Sequence, residues 1–519
     1  MYDYVIVGAG SAGCVLAGRL SEDSSARVAL IEAGGQDSRP EIAMPIAFPM
    51  LLKSSVDWDL FGEQEPGLGG RRLFLPRGKV LGGSGSINAM IYIRGNRADY
   101  DGWAAGGAEG WSYDEVLPYF KRSEDNERGE DAFHGVGGPL SVSDSRAMTP
   151  LIETMLEASE LAGLDYNPDF NGARQEGVGR FQLTQRDGRR HSTAGAFVHP
   201  VEDRPNLDVI TDALALRILF EGTRAVGVEI SHNGQIEEIR AEREVILSAG
   251  SYQSPVLLMI SGIGPAEDLT PYGMEVRENL PVGHDLQDHC MCQLNYETDE
   301  PSLFGAFAPD NFARFASEGR GPLTSNIPEA AAFLHTRPGL DAPDMQFHFA
   351  PSLFYDEGLT APHDHGYCFG PVVIKPTSRG RVLLRAPLAD SKPRILCNFL
   401  TTEEDRRCMV AGVRKALEIA DQEPLRRAMR APFSVPASDS EDDIMAFVRR
   451  ASQSVYHPTS TCAIGSVVDP QLRVYGFEGL RVADASVMPT ITRGNTNAAT
   501  IMIAEKAADL IRGHSATAG

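Results

Sequence analysis

Several features are scarce in this 519-residue chain, and each scarcity narrows what it can be. No run of about 18 apolar residues occurs, so no segment is expected to cross a bilayer as a helix. Basic residues are outnumbered, 48 Lys and Arg against 71 Asp and Glu, and the formal net charge of −23 disfavours nucleic acid or an anionic membrane surface as a partner. Cysteine is sparse: seven scattered residues without a C-x-x-C pair, which argues against a disulfide framework and suits a reducing compartment. Cys290 and Cys292, the one close pair, are expected to be buried thiols rather than metal ligands. The first strand begins at Asp3, which leaves no room for a signal peptide, so a cytoplasmic location is expected. Internal repeats and low-complexity tracts are absent. The length exceeds one ordinary core and predicts two or more folding units.

What is present organises itself around residues 3–34. Residues 4–7 are β-branched or aromatic and run into Gly8-Ala9-Gly10-Ser11-Ala12-Gly13; residues 14–20 read as helix and 27–31 as a second strand. In such a βαβ unit Gly8 permits the tight turn, Gly10 lets backbone approach a pyrophosphate, and Gly13 lets helix lie close on strand. The helix N-terminus adds unpaired N–H donors and a positive dipole end. Glu32 closes the second strand about twenty residues on, where a carboxylate accepts ribose hydroxyls and disfavours a 2′-phosphate, so the ligand is FAD or NAD rather than NADP.

A second glycine-dense stretch spans residues 77–90. Gly82, Gly83 and Gly85 suit neither helix nor strand, and the apolar flanks Val80-Leu81 and residues 87–93 argue against a surface loop, so backbone here comes close to a flat or anionic group. Farther on, a helix is predicted from Pro150 with Thr149 as N-cap and Gly163 as stop. Residues 207–218 read as strand, Asn233-Gly234 as a hairpin turn, and residues 245–247 as a short buried strand. Residues 330–334, 345–349 and 368–374 read as a sheet, followed by helices over 402–420 and 440–450 opened by capping hydroxyls. The sequence Pro281-Val282-Gly283-His284-Asp285-Leu286-Gln287-Asp288-His289 looks superficially like a metal site but is expected to be a solvated or domain-linking loop; His363-Asp364-His365 is read the same way, and no metal is expected.

Five blocks together resemble the glucose–methanol–choline (GMC) oxidoreductase family. They are the opening GAGSAG with Ile31-Glu32-Ala33-Gly34; Leu81-Gly82-Gly83-Ser84-Gly85-Ser86-Ile87-Asn88; residues 249–265; His457-Pro458-Thr459-Ser460-Thr461-Cys462; and Ala483-Asp484-Ala485-Ser486-Val487-Met488-Pro489. The resemblance covers nearly the whole chain in order and implies FAD rather than NAD. It implies an α/β fold: a Rossmann-like FAD-binding domain assembled from residues 1–150, 193–296 and 455–519, and an α+β sheet-and-helix substrate domain from 151–192 and 297–454. The flavin contacts it implies are Gly8, Gly10, Ser11, Ala12, Gly13, Glu32, Ala33, Gly82, Gly83, Asn88, Ala89, Met90, Ala215, Ala249, Tyr456, Asp484, Ala485 and Asn497. Covalent members of the family use a histidine where this chain has Ile87, so a non-covalent flavin is expected.

Alcohol oxidation needs a base for the hydroxyl proton and an acceptor for the hydride; a flavin is the acceptor. His457 matches the family's active-site histidine and Asn495 its second catalytic position, where asparagine orients a hydroxyl but takes no proton. A helix over residues 498–511 is expected to aim its positive end at the site. Glu329 and Tyr456 align with a carboxylate and an aromatic that hold the trimethylammonium group in choline-oxidising members. The favoured activity is oxidation of a primary alcohol to the aldehyde, passing electrons to oxygen or an external acceptor. Choline oxidation is the alternative, and a hydroxynitrile lyase with structural flavin, or a light-driven decarboxylase, stands as a reading from another class.

Overall fold

The computed structural model describes residues 1–147 and 149–513. Strand Tyr2–Val7 runs into helix Ser11–Leu20 and strand Val28–Ile31, the expected βαβ unit. These strands are buried on both faces, which is why they read as unbroken apolar runs. Five parallel strands stand in the order Leu207–Ile210, Val28–Ile31, Tyr2–Val7, Gln235–Leu247 and Leu480–Val482.

The 13-residue strand Gln235–Leu247 serves two layers. Its first half pairs antiparallel with Arg224–His232, which pairs with Ala213–Glu221; its second half pairs parallel with Tyr2–Val7. Asn233 and Gly234 both take positive φ, 51° and 76°, as the expected tight hairpin requires. Residues 207–218 are not one strand: Asp212, at φ 55°, breaks the run and donates its N–H to the Gly34 carbonyl.

The second sheet is antiparallel, in the order Met429–Ser434, Leu294–Thr298, Gly366–Val373, Met345–Ala350, Ala330–Leu334 and Gly177–Arg180, with Cys290–Cys292 bridging Gly366–Val373 to Ser452–Ser454. Cys290–Cys292 and the start of Leu294–Thr298 thus lie on this sheet ahead of the domain boundary expected at 296/297. Helix Glu403–Ala420 packs on Gly366–Val373, and Thr402 and Ser440 accept the capping hydrogen bonds expected of them, from Asp405 and Asp443 N–H.

Helix Pro150–Leu161 forms as predicted, but the Thr149 hydroxyl does not cap it. Its O–H donates to Glu329 Oε1 at 2.8 Å and satisfies one oxygen of that buried carboxylate. Helix Asn497–Arg512 is buried along nearly its whole length, packed on Ser11–Leu20 and clamped by Arg19 and Arg122 to the buried Glu505. All seven cysteines are buried free thiols.

Candidate active site

One cavity, of about 310 Å³, runs between the two sheets. Its nucleotide end is built by the Gly8–Gly13 turn. A Cβ on Gly13 would lie 1.9 Å from the Gly8 carbonyl oxygen, so only glycine lets the helix sit this close to the turn. The second glycine segment folds over the first: a Cβ on Gly83 would come within 2.6 Å of Gly10 Cα. Gly8, Gly10, Ser11, Ala12, Glu32, Ala33, Gly83, Asn88, Ala89, Met90, Ala215, Ala249, Asp484, Ala485 and Asn497 all line the cavity, and Ile87 lies among them. Gly13 and Gly82 do not line it; their part is to shape the turns, Gly82 donating its N–H to the Ala9 carbonyl.

The donor set fits an anionic dinucleotide. Three helices, Ser11–Leu20, Gly250–Ile260 and Asn497–Arg512, open their N-termini on this one cavity, and in none does the N-cap residue turn its own side chain back onto the orphan N–H groups. Glu32 is held by the Ala9 and Gly34 N–H groups at 2.9 Å each, while burial pushes its carboxyl up to about 7. Asp484 ties helix Gly250–Ile260 in place through Gly250 N–H and the Ser254 hydroxyl, and accepts from Ser486 N–H.

At the other end stand His457, Asn495 and Tyr456. Asn495 Nδ2 lies 3.1 Å from His457 Nε2, and Gln346 Nε2 donates to Asn495 Oδ1 at 3.3 Å. The segment carrying Asn495 is anchored by Asp99, which accepts from Arg493 N–H and its guanidinium and from Lys375 Nζ. Burial works against the charge of Asp99, but those two cations hold its carboxyl below the usual range. The His457 imidazole lies well below the ordinary histidine value, first because it is buried and then because His289, His348 and Arg77 surround it.

Two expectations are corrected here. Glu329 does not line the cavity: it is buried, and its Oε1 accepts from both Thr149 and Ser325 hydroxyls. The loop over residues 281–289 is not a solvated linker at its end. Asp288 and His289 are buried; Asp288 Oδ1 accepts from His457 N–H at 2.8 Å, and His289 Nδ1 lies 3.0 Å from His457 Nδ1. The sequence reading also passed over His348, which lines the cavity and whose buried Nε2 has no partner among the described residues. The signal for it was Gln346 and His348, two polar residues at alternate positions inside the apolar strand Met345–Ala350.

Two family models described as GMC oxidoreductase match residues 2–291 and 376–504. The chain belongs to the GMC oxidoreductase family. It is 43% identical over 528 residues to an alcohol dehydrogenase [acceptor] of Pseudomonas putida, covering 98% of this chain and 96% of that protein. It is also 43% identical over 542 residues to the mitochondrial choline dehydrogenase of Homo sapiens, covering 99% and 90%. Among solved structures, pyridoxine 4-oxidase from Mesorbium loti superposes with a TM-score of 0.91 at 32% identity, covering 99% of this chain and 100% of that one. This GMC oxidoreductase has an α/β fold and acts on CH–OH donors; its relatives' oxidoreductase names give the lyase reading no support. Among the described residues no helix is long and apolar enough to cross a membrane.

Proposed function

We propose that this enzyme oxidises a neutral primary alcohol to its aldehyde, with His457 taking the hydroxyl proton and Asn495 orienting the hydroxyl. The observation that carries it is the His457 imidazole, neutral at physiological pH and set 3.1 Å from Asn495 Nδ2, on the cavity that the Gly8–Gly13 turn also lines. FAD, when bound, supplies the hydride acceptor. The Gly8–Gly13 turn, Glu32, residues 88–90 and the Asp484-Ala485 pair are the groups that would hold it, without a covalent bond, since Ile87 has no nucleophile to offer.

His457 suits the proton step because it is unprotonated at neutral pH and within reach of the cavity. On taking a proton at Nε2 it becomes an imidazolium, and the Asp288 carboxylate, bonded to its backbone N–H, is the nearby counter-charge. Asn495, fixed by Gln346, keeps its amide in place beside that nitrogen. Tyr456 lines the same end with its hydroxyl donating to the Glu357 carbonyl.

Neutrality of the substrate follows from the lining. Among the described residues the only carboxylates on the cavity are Glu32 and Asp484, both occupied by backbone N–H groups of the nucleotide end. The rest of the cavity lining includes Met291, Gln293, Ile327, Pro328, His348 and Ala350, none of them an anion for a quaternary ammonium. Seven buried thiols support action in a reducing compartment, the cytoplasm.

The test is anaerobic mixing of the flavin-loaded enzyme with benzyl alcohol, medium-chain aliphatic alcohols and choline, followed by admission of air. Bleaching of the flavin absorbance by neutral alcohols and not by choline is expected; bleaching by choline alone, or by none, would overturn the proposal. Fast reoxidation with peroxide identifies oxygen as acceptor, and slow reoxidation an external one. Acid precipitation should leave the flavin in the supernatant.

A further inference from the structure

The rings of His289 and His457 meet Nδ1 to Nδ1 at 3.0 Å with their planes at 88°. One nitrogen must donate and the other accept, and two neutral imidazoles have two ways to do so. The groups at the far ends of the pair decide between them. Gln346 Nε2 donates to Asn495 Oδ1, which turns Asn495 Nδ2 toward His457 Nε2. An amide nitrogen only donates, so Nε2 of His457 carries a lone pair and its proton sits on Nδ1. His289 Nδ1 then accepts, and the His289 proton sits on Nε2.

The far nitrogen of His289, Nε2, is buried with no hydrogen-bond partner among the described residues, so no group on that side opposes the order set by Asn495. The adjacent carboxylate cannot take over this task. Asp288 is engaged with the backbone N–H of His289 and His457 and with the Ser454 hydroxyl.

We propose that His289 is a positioning residue: it holds His457 in the Nδ1–H tautomer, so that the Nε2 lone pair faces the substrate hydroxyl. It rests on His457 being the proton acceptor. A neutral imidazole in this place differs from the carboxylate of a hydrolase triad in one respect. It selects the tautomer without drawing a proton onto the base, which leaves His457 free to accept one at Nε2.

The test uses the full-length, flavin-loaded enzyme and four variants, read by anaerobic flavin reduction, alcohol KM, flavin content and the pH profile of kcat/KM. His289→Leu is expected to lower the reduction rate about 20-fold or more with KM and flavin content within about 2-fold, because the wrong tautomer becomes available. His289→Asn, whose Oδ1 accepts near the Nδ1 position, should restore the rate to within about 5-fold of wild type. His289→Asp should keep the tautomer but move the acid limb of the profile up by about one pH unit, a change that loss of packing would not produce. A rate for His289→Leu within about 3-fold of wild type, equal losses for Leu and Asn, or an unmoved acid limb in His289→Asp would each overturn the proposal. His457→Gln separates the two levels: if it stays fully active, the base itself is misassigned, whereas an inactive His457→Gln beside an unaffected His289→Leu removes only the role of His289.

Discussion

Two buried histidine sites in this chain have opposite electrostatics. His134 lies between two carboxylates, Nδ1 at 3.1 Å from Glu124 and Nε2 at 2.9 Å from Asp169, and Arg94 closes the network on Glu124 at 2.5 Å. Burial opposes its charge, but the bonds to Asp169 and Glu124 prevail and hold it at about 9. His289 and His348 are buried, His457 is half-buried at the cavity, and none has a carboxylate bonded to its ring; loss of solvation lowers all three, His289 to about 3 and His348 to about 4. The same side chain is thus a structural cation in one place and a neutral proton acceptor in the other, and the neighbours decide which.

The largest effect is expected from removing the base. His457→Gln should cut turnover about 10²–10⁴-fold while flavin content stays unchanged, as flavin absorbance and steady-state rates with one alcohol will report. Retention of most turnover would mean that the neutral cluster is as structural as the charged one. Next comes the anchor of the Asn495 segment. Asp99→Ala leaves Lys375 and Arg493 without their shared carboxylate, and a loss of about 3–5 kcal/mol of stability is expected from denaturant unfolding, with slower turnover as Asn495 loosens. A variant with wild-type stability would show that solvent already compensates those charges.

How much of this was legible beforehand follows the same division. The βαβ unit, the glycine turns, His457 and Asn495 lie in contiguous blocks whose residue types state their job, so reading along the chain finds them. His289 and His348 could not be found that way. Their role depends on strands Cys290–Cys292 and Met345–Ala350, which are 53 residues and more apart in sequence and meet only through Gly366–Val373. Glu329 failed for the converse reason. Its position in sequence suggested a ligand, but only the fold shows Thr149, 180 residues away, taking up its carboxylate.

The histidine comparison also predicts two slopes in stability against pH. For His134 the folded value lies above the unfolded one, so its contribution is full below about pH 6.5 and is lost as pH rises through about 9. For the neutral cluster the folded values lie below the unfolded one, so stability is full above about pH 6.5 and falls as acid forces protons onto buried rings. His134→Leu should therefore lower stability at neutral pH by about 2 kcal/mol and flatten the alkaline slope alone. Urea midpoints between pH 5 and 10 would decide it; an unchanged alkaline slope would mean that His134 is neutral in the native state.

The smallest effect tests the charge boundary of the substrate site. Burial raises the Glu329 carboxyl, and its Oε1 is held by Ser325 and Thr149 hydroxyls while Oε2 has no partner. Glu329→Gln keeps the shape and a carbonyl acceptor for both hydroxyls, so stability should move by less than about 1 kcal/mol. If the carboxylate faced the substrate, choline would lose far more kcat/KM than benzyl alcohol, since a cation at close range in a low-dielectric cavity feels the missing charge strongly. With the carboxylate turned behind the cavity wall, the ratio of the two kcat/KM values should change by less than about 2-fold. A tenfold fall for choline alone would bring Glu329 back into the site and undo the division between charged structural and neutral catalytic surroundings.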